Sequence, residues 1–154
     1  MRWYAIAFAA AAIVTPAATA SAEPAELPPC SGDFAGAMTW PTGAKAPLRC
    51  DGGRWLGVDD PYPFSDRWVS DGPSMTLYGG ARPNPAIEPG VWTATPLTAD
   101  DRCSARQTTV TYGKVDGPPR VDEGAVGQPL ALEVLPRLLT IDMSGDCVWQ
   151  KQSD

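Results

Sequence analysis

Asp59, Asp60, Asp66 and Asp71 stand among Trp55, Tyr62, Phe64 and Trp68 in the stretch RWLGVDDPYPFSDRWVSDG, residues 54–72. Glycoside hydrolysis uses such carboxyls when two of them lie about 5–10 Å apart across a sugar bond, one with a raised pKa. A calcium ion gathers several carboxylate oxygens. Rings displayed on a loop between acids form an amphipathic contact surface. In a chain with 18 acidic residues, carboxylate pairs arise by chance, so the hydrolase and calcium readings rank below the contact surface. The expected contact residues are Trp55, Asp59, Asp60, Tyr62, Phe64, Asp66 and Trp68. The competing expectation is that the same rings close one end of a β domain by packing onto the sheet beneath.

Other chemistries are disfavoured by composition. The chain has no histidine, so Ser-His-Asp and Cys-His catalysis and the His-based zinc hydrolases are excluded as usually built. No P-loop, dinucleotide fingerprint or EF-hand loop occurs. A zinc site is disfavoured because the cysteines form no C-x-x-C pair. No catalytic residue, metal ligand or cofactor is therefore expected.

The N-terminus reads as an export signal. Arg2 precedes the uncharged apolar run Trp3–Val14, Pro16 breaks that run, and Ala20-Ser21-Ala22 offers a small-x-small cleavage site. The run is shorter than the roughly 20 apolar residues a membrane span requires, and no later segment approaches that length. There is no twin-arginine pair, which favours the general secretory route. Lipidation at Cys30 is disfavoured by the preceding ELPP. Cleavage after Ala22 removes Arg2 and takes the formal net charge from −6 to −7. That charge argues against nucleic acid, whose phosphates need a basic footprint, and against anionic lipid surfaces. The expected location is extracellular or envelope-associated.

Cys30, Cys50, Cys103 and Cys147 all lie beyond the signal. An even count outside the cytoplasm reads as two disulfides. Three pairings are open; the sequential one, Cys30–Cys50 with Cys103–Cys147, is favoured because it staples each half of the chain separately.

The elements that must position these residues are short. Residues 23–29, EPAELPP, read as a disordered lead-in, and 30–154 as a single β-rich domain. No stretch keeps a helical apolar period over ten positions. β-favouring runs instead alternate with Pro/Gly turn signals, which predicts an all-β, disulfide-stapled sandwich or barrel with long Pro/Gly-rich loops. Strands are expected at VWTAT (91–95), ARQTTVTY (105–112), LALEVL (130–135) and LLTIDM (138–143), with weaker candidates at RWLGV (54–58), RWVS (67–70) and SMTLY (74–78). Leu139, Ile141 and Met143 should share one face. Pro61 and Pro63 remove ladder donors, so DDPYPFSD should be a loop. GGARPNPAIEPG (79–90) reads as a linker between two parts of the domain. DCVWQ (146–150) is expected to return from LLTIDM as a hairpin turning at Ser144-Gly145, with Met143 opposite Cys147 and Ile141 opposite Trp149. Cys147 and Trp149 then share a face, and Trp149 packs over a disulfide in the core.

PGVWTATP, the following Cys103 and the closing SGDCVW resemble a β module of small secreted actinobacterial proteins, mycobacteria included, with the pattern PGTW or PGTY, then C, then C-x-W. The resemblance spans residues 89–149. It implies export and a β fold, and it transfers no reaction. Three lysines against nine arginines, with abundant Ala, Pro and Gly, fit a high-GC bacterial genome. The expected function is a secreted module that binds an envelope glycan or a protein without catalysis, with a carbohydrate-binding module as the sharper alternative and a glycoside hydrolase as the weaker one.

Overall fold

The computed structural model describes residues 27–153, so the proposed signal peptide and most of the lead-in lie outside the described residues. In chain order the strands are β1 (Met38–Thr39), β2 (Leu48–Asp51), β3 (Arg54–Gly57), β4 (Arg67–Ser70), β5 (Met75–Tyr78), β6 (Gly90–Pro96), β7 (Ser104–Thr111), β8 (Lys114–Val115), β9 (Arg120–Glu123), β10 (Leu130–Val134), β11 (Leu138–Ser144) and β12 (Cys147–Lys151). A 3-10 turn, Gly32–Phe34, precedes them, and the described residues contain no α-helix. The class is all-β, as the turn-punctuated apolar runs predict.

The larger sheet runs β10-β6-β12-β4-β1-β2-β3. The smaller runs β5-β11-β7, with β9 and the short β8 both paired to β7. Every pairing is antiparallel except β1 beside β4. The strand runs read from sequence all appear, within a residue or two of their expected ends. Missed were β1, β2, β8 and β9, which have four residues or fewer and carry no sustained alternation.

Burial follows the strand period. Trp149 lies opposite both Trp68 and Ala94, and Met38 beside Trp68, so all four point to one face and all are fully buried. They form one core with Leu77, Ile141, Met143 and Ala105 of the smaller sheet. An indole is large enough to fill such a core but carries an N–H that must be satisfied. Here Trp68 Nε1 donates to the Ser65 carbonyl at 3.2 Å, Trp92 Nε1 to the Glu88 carbonyl at 3.1 Å, and Trp149 Nε1 to Ser70 Oγ at 2.8 Å. Gln107, also buried, joins the sheets through its amide. Its Nε2 donates to the Glu133 carbonyl at 2.8 Å, and its Oε1 accepts from Leu135 N at 3.0 Å.

Two expectations are corrected. β11 and β12 are not a hairpin. β11 lies in the smaller sheet between β5 and β7, and β12 in the larger between β4 and β6, so Ser144–Asp146 carries the chain from one sheet to the other. Both edges of each strand are already paired, and their apolar faces meet across the core instead of side by side. Gly145 makes the crossing possible: its φ is +90°, and the Arg102 carbonyl oxygen occupies the space where a Cβ would stand. Secondly, Leu138 and not Leu139 is fully buried, because the β11–β7 register shifts between Leu138 and Thr140 and turns the strand start over.

The disulfides are Cys30–Cys50 and Cys103–Cys147, the sequential pairing. Cys103, just before β7, and Cys147, which opens β12, tie the two sheets together. Cys30–Cys50 pins residues 30–36 over the outer face of the larger sheet, where Gly36 N donates to the Cys50 carbonyl at 2.9 Å. Val69, pointing away from Trp68, is fully buried there too. Residues 79–89 connect the sheets, as the linker reading anticipates, yet Ala86 and Ile87 within them are buried members of the core. Leu27–Pro29, expected to be unpacked, are held in part: the Pro28 carbonyl accepts from Trp55 Nε1 at 2.8 Å.

Candidate functional site

Residues 58–66 form no strand, as Pro61 and Pro63 dictate. The loop divides the expected contact residues into three groups. Asp59, Asp60, Phe64 and Asp66 are exposed, with Phe64 at 52%. Tyr62 is half-buried. Trp68 is fully buried and is withdrawn from any contact surface, because on β4 it follows the inward face that Ser70 and Trp149 share. Trp55 is half-buried on the other side of β3, with its ring 6.5 Å from that of Phe34 and tilted 30° to it. Trp55 and Tyr62 thus each pack on a ring from elsewhere and do not form a coplanar pair with each other.

Tyr62 instead joins a row the sequence reading did not assemble. Its ring meets Trp40 edge-on at 5.3 Å and 79°, and Trp40 meets Tyr78 edge-on at 6.4 Å and 89°. The Arg82 guanidinium caps the row 4.0 Å above the Tyr78 ring, a cation–π contact. Trp40 is held by its own turn: Nε1 donates to the Ala44 carbonyl at 3.1 Å. All three rings are half-buried, so each keeps some surface in water.

Beside this row lies an open groove of about 290 Å³, walled by Trp40, Tyr78 and the Pro41–Ala44 turn, with Ser74 and Thr76 opposite. Its polar groups are already aligned. Thr76 Oγ1 donates to Asp142 Oδ1 at 2.6 Å, and Thr42 Oγ1 to the Ser74 carbonyl at 3.2 Å. Rings beside hydroxyls make the groove an amphipathic surface. Sequence reasoning missed Trp40, Thr76, Tyr78 and Arg82. The one available signal was Trp40-Pro41 before a Thr-Gly turn, which marks a ring at a strand end.

Asp71 sits away from the loop, against Asp146. Burial raises its pKa above the usual 3.8, and the charge of Asp146 and a hydrogen bond shared with it raise it further. Among the described residues, no three acidic or thiol side chains cluster into a metal site. No described helix is long and apolar enough to cross a membrane. A scan against protein-family models finds no match, nor do searches of the curated proteins and of the solved structures.

Proposed function

We propose that the protein is an exported binding module that acts without catalysis and takes a glycan of the bacterial envelope in the Trp40–Tyr78 groove. The observation that carries this reading is the Tyr62–Trp40–Tyr78 row beside aligned hydroxyls. Such a surface stacks on sugar rings with little rearrangement, since its side chains are already held by one another. Export is supported by the N-terminal apolar run and by two disulfides, which persist in oxidising compartments. Binding without catalysis is supported by the lack of histidine, the base that most often activates a hydrolytic nucleophile. The resemblance over residues 89–149 to secreted actinobacterial modules points the same way.

A protein partner is the second reading, and one feature favours it. The β7–β8 hairpin turns at Tyr112-Gly113 with Tyr112 99% exposed, and Val115 beside it is half exposed. An unsupported ring at a hairpin tip is the kind of anchor that fills a partner's pocket.

Retention of the protein on insoluble envelope polysaccharide separates these readings. Wild type should be retained, Tyr78→Ala should pass through while remaining folded by circular dichroism, and Tyr112→Ala should be retained. Retention of Tyr78→Ala at the wild-type level would overturn the glycan reading.

A further inference from the structure

On the outer face of the larger sheet, away from the aromatic row, a groove of about 410 Å³ runs between the 3-10 turn Gly32–Phe34 and strands β4, β12 and β6. Phe34, Pro96, Leu97 and Val148 give it an apolar side, Asp33 and Thr95 add polar groups, and Arg67 and Gln150 lie on it side by side, paired in register across β4 and β12. It shares no residue with the Trp40 groove.

Arg67 is the unusual feature. The chain holds 18 acidic residues against 12 basic ones, yet the ion pairs among the described residues are Arg120–Asp122 and Lys151–Glu88. Arg67 has none. Its Nη2 donates to the Asp33 backbone carbonyl at 2.5 Å, while Nε is shielded from water with no acceptor. A guanidinium is always charged and presents its N–H groups as a planar fork that matches a carboxylate. A half-buried guanidinium with no ion-pair partner gains from an anion that enters the groove and takes its free N–H groups in charge-assisted contacts. The position directly opposite, where a folding ion pair would place an acid, is occupied by the neutral Gln150.

We infer that this groove is a binding site for a small monocarboxylate with an apolar body, its carboxylate on the Arg67 guanidinium and its hydrocarbon against Phe34, Leu97 and Val148. Two features favour this class over a phosphate or sulfate. One side of the groove, Phe34, Pro96, Leu97 and Val148, is apolar, which suits a hydrocarbon better than a fully hydrated ion. Asp33 also lines the groove, and its carboxylate repels a multiply charged anion more than a singly charged one. The volume lies within the range of small-molecule sites. The Cys30–Cys50 disulfide holds the wall that carries Phe34, so the site depends on the oxidised chain.

The test is an amide chemical-shift titration of the oxidised protein with hexanoate, with hexan-1-ol and inorganic phosphate as controls. Hexanoate should cause saturable shifts at residues 33–34, 67, 95–97 and 148–150, and neither control should reproduce them. Arg67→Met should weaken hexanoate binding roughly tenfold or more, the scale of a lost charge-assisted contact. Because that change also removes the tie to Asp33, Gln150→Glu provides a second variant. It leaves Arg67 in place and supplies a carboxylate across the strand pair, about 5 Å away between Cβ atoms, so it should also abolish binding while the fold persists. Equal shifts with hexan-1-ol, preferential binding of phosphate, or wild-type affinity in Gln150→Glu would each overturn the assignment.

Discussion

The indole nitrogen of Trp149 donates to the hydroxyl of Ser70 at 2.8 Å, between residues 79 apart in sequence and both buried. Ser70 Oγ in turn donates to the Gly145 carbonyl. One chain of hydrogen bonds therefore links the central strands of the larger sheet to the turn that brings the chain across from the smaller one. Trp149→Ala should cost about 3–5 kcal/mol, as large-to-small aromatic substitutions in cores do. Ser70→Ala, which removes the acceptor of the indole and the donor to the Gly145 carbonyl, should cost about 1–3 kcal/mol by leaving buried polar groups unpaired. Urea unfolding measures both; a Ser70→Ala change below the lower figure would mean the indole finds another acceptor.

The thiols should be wholly oxidised, with no label taken up on alkylation without reductant. In the chain-entropy account, the Cys103–Cys147 bridge, closing a separation of 44 residues, contributes about 4 kcal/mol. Cys30–Cys50, closing 20, contributes about 3 kcal/mol. Paired Cys→Ser variants should follow that order in thermal midpoint. The reverse order would show that the wall over the outer face matters more than the tie between the sheets.

Gly145→Ala should be among the most damaging small substitutions. It places a Cβ on the Arg102 carbonyl at a φ of +90°, and the cost should be about 2–3 kcal/mol or more. Gly113→Ala, which also has a positive φ but open space around it, should cost less, roughly 1 kcal/mol. Comparing their denaturant midpoints separates backbone strain from the clash.

Asp71 makes stability fall as pH rises. Its folded-state pKa lies above the usual 3.8, from burial first and then from Asp146. The native state therefore binds more proton than the unfolded state in that window. The stabilising contribution is present at acid pH and is lost as pH rises through the raised value. Asp116 acts in the opposite sense. Hydrogen bonds from Thr111 and Thr109 and the Arg137 charge lower its pKa, so its contribution is lost on acidification. Asp71→Asn should stabilise the protein near neutral pH and approach wild type at about pH 4. A constant difference across the pH range would remove Asp71 as the source.

In the 58–66 loop the two rings should behave differently. Phe64→Ala should change stability by no more than about 0.5 kcal/mol, as exposed substitutions do. Tyr62→Ala loses its edge contact with Trp40 and should cost about 1 kcal/mol. Equal effects would mean that the Trp40 contact contributes nothing in solution.

What the sequence by itself determined was periodicity and punctuation. LALEVL alternates Leu130, Leu132 and Val134 against Ala131 and Glu133, and Leu132 and Val134 are buried, because a strand has only two faces and water selects between them. Pro61 and Pro63 barred a strand through the 58–66 loop by removing N–H donors. The two-residue spacing of Cys147 and Trp149 put both on the buried face. Pairing between strands was decided only by the tertiary structure. The apolar faces of β11 and β12 are satisfied equally by lying side by side in one sheet or face to face across a core. Their residue pattern is the same in both cases, and only competition from β4, β5, β6 and β7 for their edges chose the second. The candidate sites belong to this second kind. Trp40, Tyr62 and Tyr78 lie on three separate segments, and the lack of an ion-pair partner for Arg67 among the described residues is a property of everything around it. No local spacing encodes either, since both depend on which distant strands the hydrophobic core brings together.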